Sequence, residues 1–253
     1  MPVEETANVH LMLSAIAQRK GNSTDFIDPR YWPLLRTWAD YLVSTTCYPA
    51  NQKCTDDFMG SSALNANLAI KGILALGAYA QLMELKGDAA SAGKYMAIAR
   101  NYSAYWVEHA RAADGTHTKL AYNSSEDSWS QKYNLVWHKI LKLNLIPQSI
   151  FDAEICFYEK HLEKFGLRLD NRRDLTKTDW LMWTGAFGDR AYFTQVVDRV
   201  FAQLGADNTD KPLTDLYTTS TAQAAPPPLG VGFRDRAVVG AFWAKMLMDE
   251  PRG

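Results

Sequence analysis

Apolar residues recur at the helical period along nearly the whole sequence, and that pattern constrains the fold more than any other feature. It predicts nine helices, at about 4–19, 30–45, 63–86, 88–112, 131–143, 148–165, 176–188, 190–204 and 235–248. The punctuation agrees. Gly87-Asp88 separates the third helix from the fourth, Pro147 opens the sixth, and Gly166 closes it. Two long loops interrupt the series. One runs from Gly115 to Ser130, where "THTKLAYNS" has room for a short strand. The other is "DNTDKPLTDLYTTSTAQAAPPPLGVGF", and loops of that length inside a domain are usually functional or disordered. The 253 residues suit one domain, 1–253, built from a rhythm of helix pairs.

Polar motifs sit at particular places in this rhythm. "PVEE" opens the first helix, "CTDDF" precedes the third, "SWSQKYN" opens the fifth, "LTKTDW" the seventh and "GFRDR" the ninth. In antiparallel hairpins alternate helices point the same way, so the odd-numbered starts gather at one end. With the odd helices as an inner ring, their dipoles aim into one cleft. That geometry is an all-α, (α/α) toroid. It places Glu4, Glu5, Asp56, Asp57, Lys132, Asp179 and Arg234 around a shared cavity. The adjacent carboxylates Asp56 and Asp57 pose a local question. One aspartate suffices to cap a helix, whereas a second adds repulsion and asks for a use.

The net charge of −1 and the lack of basic runs give no field for nucleic acid or an anionic membrane. Polar residues break every long apolar stretch, so no membrane span is predicted. "MPVEETANVH" has neither the basic nor the apolar region of a signal peptide, which makes the chain as given cytoplasmic. Three N-x-S/T sequons, at Asn22, Asn101 and Asn123, hint at a secretory ancestry. There is no C-x-x-C or H-E-x-x-H motif and no Gly-rich phosphate loop; "GVGF" at 230–233 lacks the preceding strand and the third glycine. Neither a metal nor another cofactor is expected, and the five histidines read as structural. Cys47 and Cys54 flank the short loop "CYPANQKC" and are expected to lie close enough to bridge. Cys156 reads as a buried thiol.

"MPVEETAN", "CTDDF…NANLAIKGILALGAYA", "SWSQKYNLVWHKILKLNLIP", "KTDWLMWT" and "FRDRAVVGAFWAKML", taken together and in order, resemble the C-terminal region of fungal glutaminase A-like proteins. The resemblance implies a six-hairpin (α/α) toroid and secreted enzymes that hydrolyse L-glutamine to glutamate and ammonia. Complete members carry additional N-terminal β-rich regions. Twelve helices make a full toroid, so about nine make an incomplete one. Where the family pattern has a histidine this sequence has Leu64, directly before Asn65. The family's late "DWYDT" is "DLYTT" here, with Thr218 in place of the second aspartate.

For a glutamine-like amide, the expected catalytic carboxylates are Asp57 as general base, Asp56 in support, Glu4 and Asp179. Arg234 or Lys132 would hold the substrate carboxylate, and Glu4, Glu5 or Asp179 its ammonium. Asn65 and Tyr133 line the site, with Trp129 and Trp180 as its walls. Each has a plainer reading. Asp56 and Asp57 suit a helix cap, Glu4 and Glu5 a first turn, and Asp179 a local pair with Lys177. Two other functions stay open. One is a repurposed biosynthetic enzyme of isomerase or cyclase type, using acid–base chemistry in the same pocket. The other is a binding module without chemistry. In each, the partner is a small molecule.

Overall fold

The computed structural model describes residues 1–54, 56–206, 212–229 and 233–249. Among these residues the α-helices are α1 (Pro2–Arg19), α2 (Trp32–Thr45), α3 (Ala66–Lys86), α4 (Ala89–Ala110), α5 (Val136–Leu141), α6 (Gln148–His161), α7 (Thr178–Ala186), α8 (Arg190–Ala206) and α9 (Ala244–Asp249). Four two-residue strands make two antiparallel pairs, β1 (Leu162–Glu163) with β2 (Gly166–Leu167) and β3 (Thr176–Lys177) with β4 (Leu216–Tyr217). This is the all-α hairpin architecture that the periodicity predicts.

The odd helices pack on one another, α1 against α3 and α5, and α7 against α5 and α9. The even helices cover them, α2 on α1 and α3, α4 on α3, and α8 on α7. α6 joins the outer layer through Phe151, whose ring meets His138 and Phe187. The sequence shows why α3 is innermost. Seventeen of its 21 residues are buried, and it is apolar on every side rather than along one stripe. Of the described helices it alone is long and apolar enough to cross a membrane, but here other helices bury it. Its one interior charge, Lys71, is paired with buried Glu4 of α1. Gly72 lets Thr46, at the end of α2, approach the α3 backbone. A Cβ at position 72 would lie 2.3 Å from Thr46 Oγ1.

Several expected boundaries move for local reasons. The third helix begins at Ala66, because Asn65 caps it with Oδ1 accepting from the Leu68 N–H at 2.9 Å. Asp56 and Asp57 therefore do not cap this helix. Asp57 opens a separate 3-10 turn, Asp57–Met59, and the Asp56 side chain makes no cap hydrogen bond. The fifth helix starts with a 3-10 turn, Tyr133–Leu135. The sixth stops at His161, where the chain turns into β1 and β2 around Gly166, at φ +137°. Thr176 and Lys177 belong to a strand, so the seventh helix starts at Thr178. The ninth is preceded by a 3-10 turn, Gly240–Trp243. Residues 115–130 hold only isolated bridges, Thr118 to Arg111, Ala121 to Asn65 and Ser130 to Asp170. The late loop supplies β4. Its residues 207–211 and 230–232, which include most of "GVGF", lie outside the described residues.

Cys47 and Cys54, expected to lie close enough to bridge, are both free thiols. They enter different surroundings. Cys47 sits by Tyr48, Tyr102, Tyr105 and Tyr122, whereas Cys54 faces Asp56 and Glu4. Cys156 is exposed, not buried, because its face of α6 turns to solvent.

Candidate functional site

The starts of the odd helices do gather at one end. Glu4 meets Lys71, the Asn134 amide donates to the Asn67 carbonyl at 2.9 Å, and the Tyr133 ring stacks 4.9 Å from Trp180. They do not form one cavity. A ladder of rings, Tyr133 on Trp180 and Trp180 on Phe58 at 5.9 Å, divides the polar residues into two groups.

On the α1–α3 side Asp56, Asp170 and Lys132 are buried and hydrogen-bonded or ion-paired, with Arg172 reaching the two aspartates from the surface. Asp56 accepts from the Cys54 thiol and, at 3.5 Å, from the Tyr133 hydroxyl. Arg172 lies 3.6 Å from Asp56 and 2.6 Å from Asp170. Burial raises the Asp56 carboxyl above its ordinary range and drives the Cys54 thiol well up. Lys132 is fully buried. Its ammonium donates to the carbonyls of Thr118 and Ser130 and to the Ser130 hydroxyl, at 3.0–3.1 Å. Burial lowers its pKa to about 8, against the raising pull of Glu154, Asp170 and Asp56. An ammonium whose donors are spent on backbone is a brace for the 118–130 loop, which corrects its expected role as a substrate clamp.

On the α7–α9 side the arrangement is different. Lys177 Nζ lies 3.3 Å from Asp179 and 3.2 Å from Asp215, and 4.1 Å from the centre of the Trp180 ring. Asp215 is gripped by Arg236, with Nε donating at 3.0 Å and Nη2 to the other oxygen. The two aspartates are pushed in opposite directions. Burial raises Asp179, and Lys177 only partly offsets it. Burial would raise Asp215 too, but the Arg236 hydrogen bonds and the Lys177 charge outweigh it and hold that carboxyl low. Asp57 contributes its field to Arg236 from the 3-10 turn. Asp179 Oδ1 has no hydrogen-bond partner, nor has the buried Trp137 Nε1. Both residues line a cavity of about 330 Å³ walled by Trp137, Ile140, Trp183, Trp243 and Leu247.

The expected site residues thus separate. Asp179 lines the cavity, Trp180 backs its lysine, and Asp57 stands nearby but exposed. The burial expected for Asp57 belongs to Asp56. Glu4 is locked to Lys71, Glu5 is exposed on the first turn of α1, Asn65 is a cap, and Tyr133 belongs to the ring ladder. Trp129 is a core residue against Phe157 and His161 rather than a cavity wall. Arg234 donates to the Pro212 carbonyl at 2.7 Å, so the bidentate arginine of "GFRDR" is Arg236. The local pair of Asp179 with Lys177 is present, and Asp215 and Arg236 are the members missing from the expected site residues. Lys177, Asp215 and Arg236 lie inside the motifs "LTKTDW", "DLYTT" and "GFRDR". Among the described residues no group of three or more His, Cys, Asp or Glu side chains is placed to hold a metal.

Residues 1–246 match a family model described as the glutaminase A six helical-hairpin domain. The chain belongs to that family. It is 36% identical over 250 residues, 98% of its length, to glutaminase A of Aspergillus oryzae. It is 29% identical over 244 residues to a probable glutaminase of Arthroderma benhamiae, a match that covers 86% of this chain. The chain spans about a third of the length of these curated relatives, 35% of one and 28% of the other. The two positions that the sequence resemblance singles out, Leu64 and Thr218, have local roles. Leu64 takes a left-handed backbone at φ +55° and hydrogen-bonds through its main chain to Pro49 and Tyr122. The Thr218 hydroxyl meets that of Thr221 and the Gln223 carbonyl, while Asp215 of the same motif is bound to Arg236 and Lys177.

Proposed function

We propose that the chain is a glutaminase-type amide hydrolase acting on L-glutamine or a related small amide. The observation that carries the reading is the pair Asp179 and Asp215, bridged by one lysine and displaced in opposite directions beside a cavity. Two carboxylates with separated pKa values can divide labour. Asp215 stays ionised and, with Arg236, fixes Lys177. Asp179, raised toward neutrality, takes a proton from the attacking water and returns it to the departing nitrogen. Lys177, held between Asp179 and Asp215, fixes the orientation of the Asp179 carboxylate beside the cavity. Water adds its hydroxyl to the carbonyl carbon, the carbon–nitrogen bond breaks, and acid and amine leave.

Family membership and the relatives' names support this choice of reaction. The relatives are much longer proteins, so the whole activity is assigned here as a proposal. The partner is a small molecule, with no role for nucleic acid or a membrane. A second reading, acid–base isomerisation or cyclisation of an apolar substrate, draws on the indole walls of the cavity. The two separate in one experiment. Ammonia release from L-glutamine is measured with the wild-type chain and with Asp179→Asn. The variant should lose about 100-fold or more in rate, the scale for a lost acid–base group. The wild-type rate should rise with pH through a limb above the ordinary carboxylate range, because the raised Asp179 must be deprotonated to accept a proton. No ammonia release, or an undiminished rate in Asp179→Asn, would overturn the assignment.

A further inference from the structure

The cavity beside Asp179 has walls unlike those of a site for a small polar amide alone. Three indoles, Trp137, Trp183 and Trp243, wall it with aliphatic side chains, and among the described residues Asp179 is the one charged residue that lines it. The neighbouring cations touch the wall from behind, Lys177 on Asp179 and Arg19 on the Leu247 carbonyl. Behind the carboxylate, Asp179 and Asp215 balance Lys177 and Arg236, and Asp57, acting on Arg236, leaves the cluster one negative charge in excess. Asp179 has one oxygen on Lys177 and the other without a partner. Indole faces attract cations, most strongly where water is thinned out. A buried acceptor without a donor is costly, and a bound N–H would relieve it.

We propose that this cavity binds an organic amine, its ammonium or amide N–H turned toward the Asp179 carboxylate and its aromatic or alkyl body among the three indoles. The proposal deepens the amide-hydrolase reading and rests on it for biological meaning. The amine would be the leaving-group half of a substrate, so amides bearing an apolar N-substituent would be hydrolysed in addition to the primary amide. The volume, at the lower end of the usual range for small-molecule pockets, suits one ring on a short arm. The binding itself needs no turnover and can be judged separately.

Titration of the intact chain, followed by tryptophan fluorescence and calorimetry, compares 2-phenylethylamine with two near-isosteres, neutral 2-phenylethanol and anionic 3-phenylpropionate. The amine should bind at least about tenfold more tightly than the alcohol, and the carboxylate least well. Asp179→Asn, which keeps the shape, should abolish the preference for the amine. Trp243→Ala should weaken the amine and the alcohol together; Trp243 is 63% exposed, so this truncation leaves the core intact. Equal affinity for amine and alcohol, or a preference that survives Asp179→Asn, would overturn the proposal. Amine binding without any release of ammonia from glutamine would support this site while removing the hydrolase reading. Hydrolysis without amine selectivity would do the reverse.

Discussion

The pair Glu4 and Lys71 gives the sharpest test of how the inner ring is held. Both side chains are buried, Glu4 3% and Lys71 2% exposed, and they are in direct contact. Removing one partner from such a pair, as in Glu4→Gln or Lys71→Met, costs about 3–5 kcal/mol, because the other charge loses its direct contact while staying out of solvent. At neutral pH the melting temperature should fall by roughly 6–20 °C, at about 2–4 °C per kcal/mol for a domain of this size. Replacing both residues by apolar ones should recover most of the loss. Thermal and urea unfolding measure all four proteins. Single-variant deficits below about 1 kcal/mol, or a double variant no more stable than either single one, would refute the reasoning. Loss of amide hydrolysis in stably folded Glu4→Gln would return Glu4 to the catalytic set.

Gly72→Ala should destabilise by about 1–3 kcal/mol, since the new methyl meets Thr46 Oγ1 at 2.3 Å and Cγ2 at 2.7 Å, and adding Thr46→Ala should restore most of it in urea unfolding. Asp215→Asn should cost about 1–2 kcal/mol at pH 7, a charge-assisted bond discounted because the Arg236 side chain is 34% exposed. Because Asp215 is held below its ordinary range, the wild-type advantage is full above the unfolded pKa and fades as pH drops through the folded value. Urea midpoints of the two proteins should therefore converge as pH falls below the ordinary carboxylate range.

Helix existence was legible in the sequence because burial imposes a period, and α3 could be read from its composition alone. Helix starts were less legible, since a cap is one side chain and several polar residues compete for it. Asn65 won over Asp56 and Asp57 because Pro49 and Tyr122 fix Leu64 in a left-handed turn that starts the helix just beyond it. The gathering of odd-helix starts followed from topology. Which charge meets which did not, because spacing says nothing about where a side chain reaches in a loop. Asp215 reaches Lys177 only through the pairing of β3 with β4, two residues each and too short to mark the sequence. Arg234 and Arg236 both follow Phe233, and only the path of the described loop selects Arg236 for Asp215. Lys71 did carry a signal. A lone charge in the middle of an apolar helix needs a buried partner, and the nearest carboxylates in the predicted ring were those of "PVEE".

The adjacent carboxylates of "TDDF" find their explanation in the turn they occupy. A 3-10 turn has three residues per revolution, so successive side chains leave it about 120° apart. Asp56, just ahead of the turn, goes inward to Cys54, Tyr133 and Arg172; Asp57 faces Arg236 from the solvent side; Phe58 lies flat on Trp180. One dipeptide thus contributes a charge to each polar cluster, and the next residue seals the boundary between them. The Asp56 cluster has its hydrogen bonds and ion pairs in place, which fixes the meeting of α3, the 133–135 turn and the 170–172 loop. The Asp179 cluster is left with an acceptor unmet and an indole-walled space in front of it. Burial without satisfaction is unfavourable to the fold. The unmet acceptor of Asp179 on the α7–α9 side is the one that the proposed function draws on.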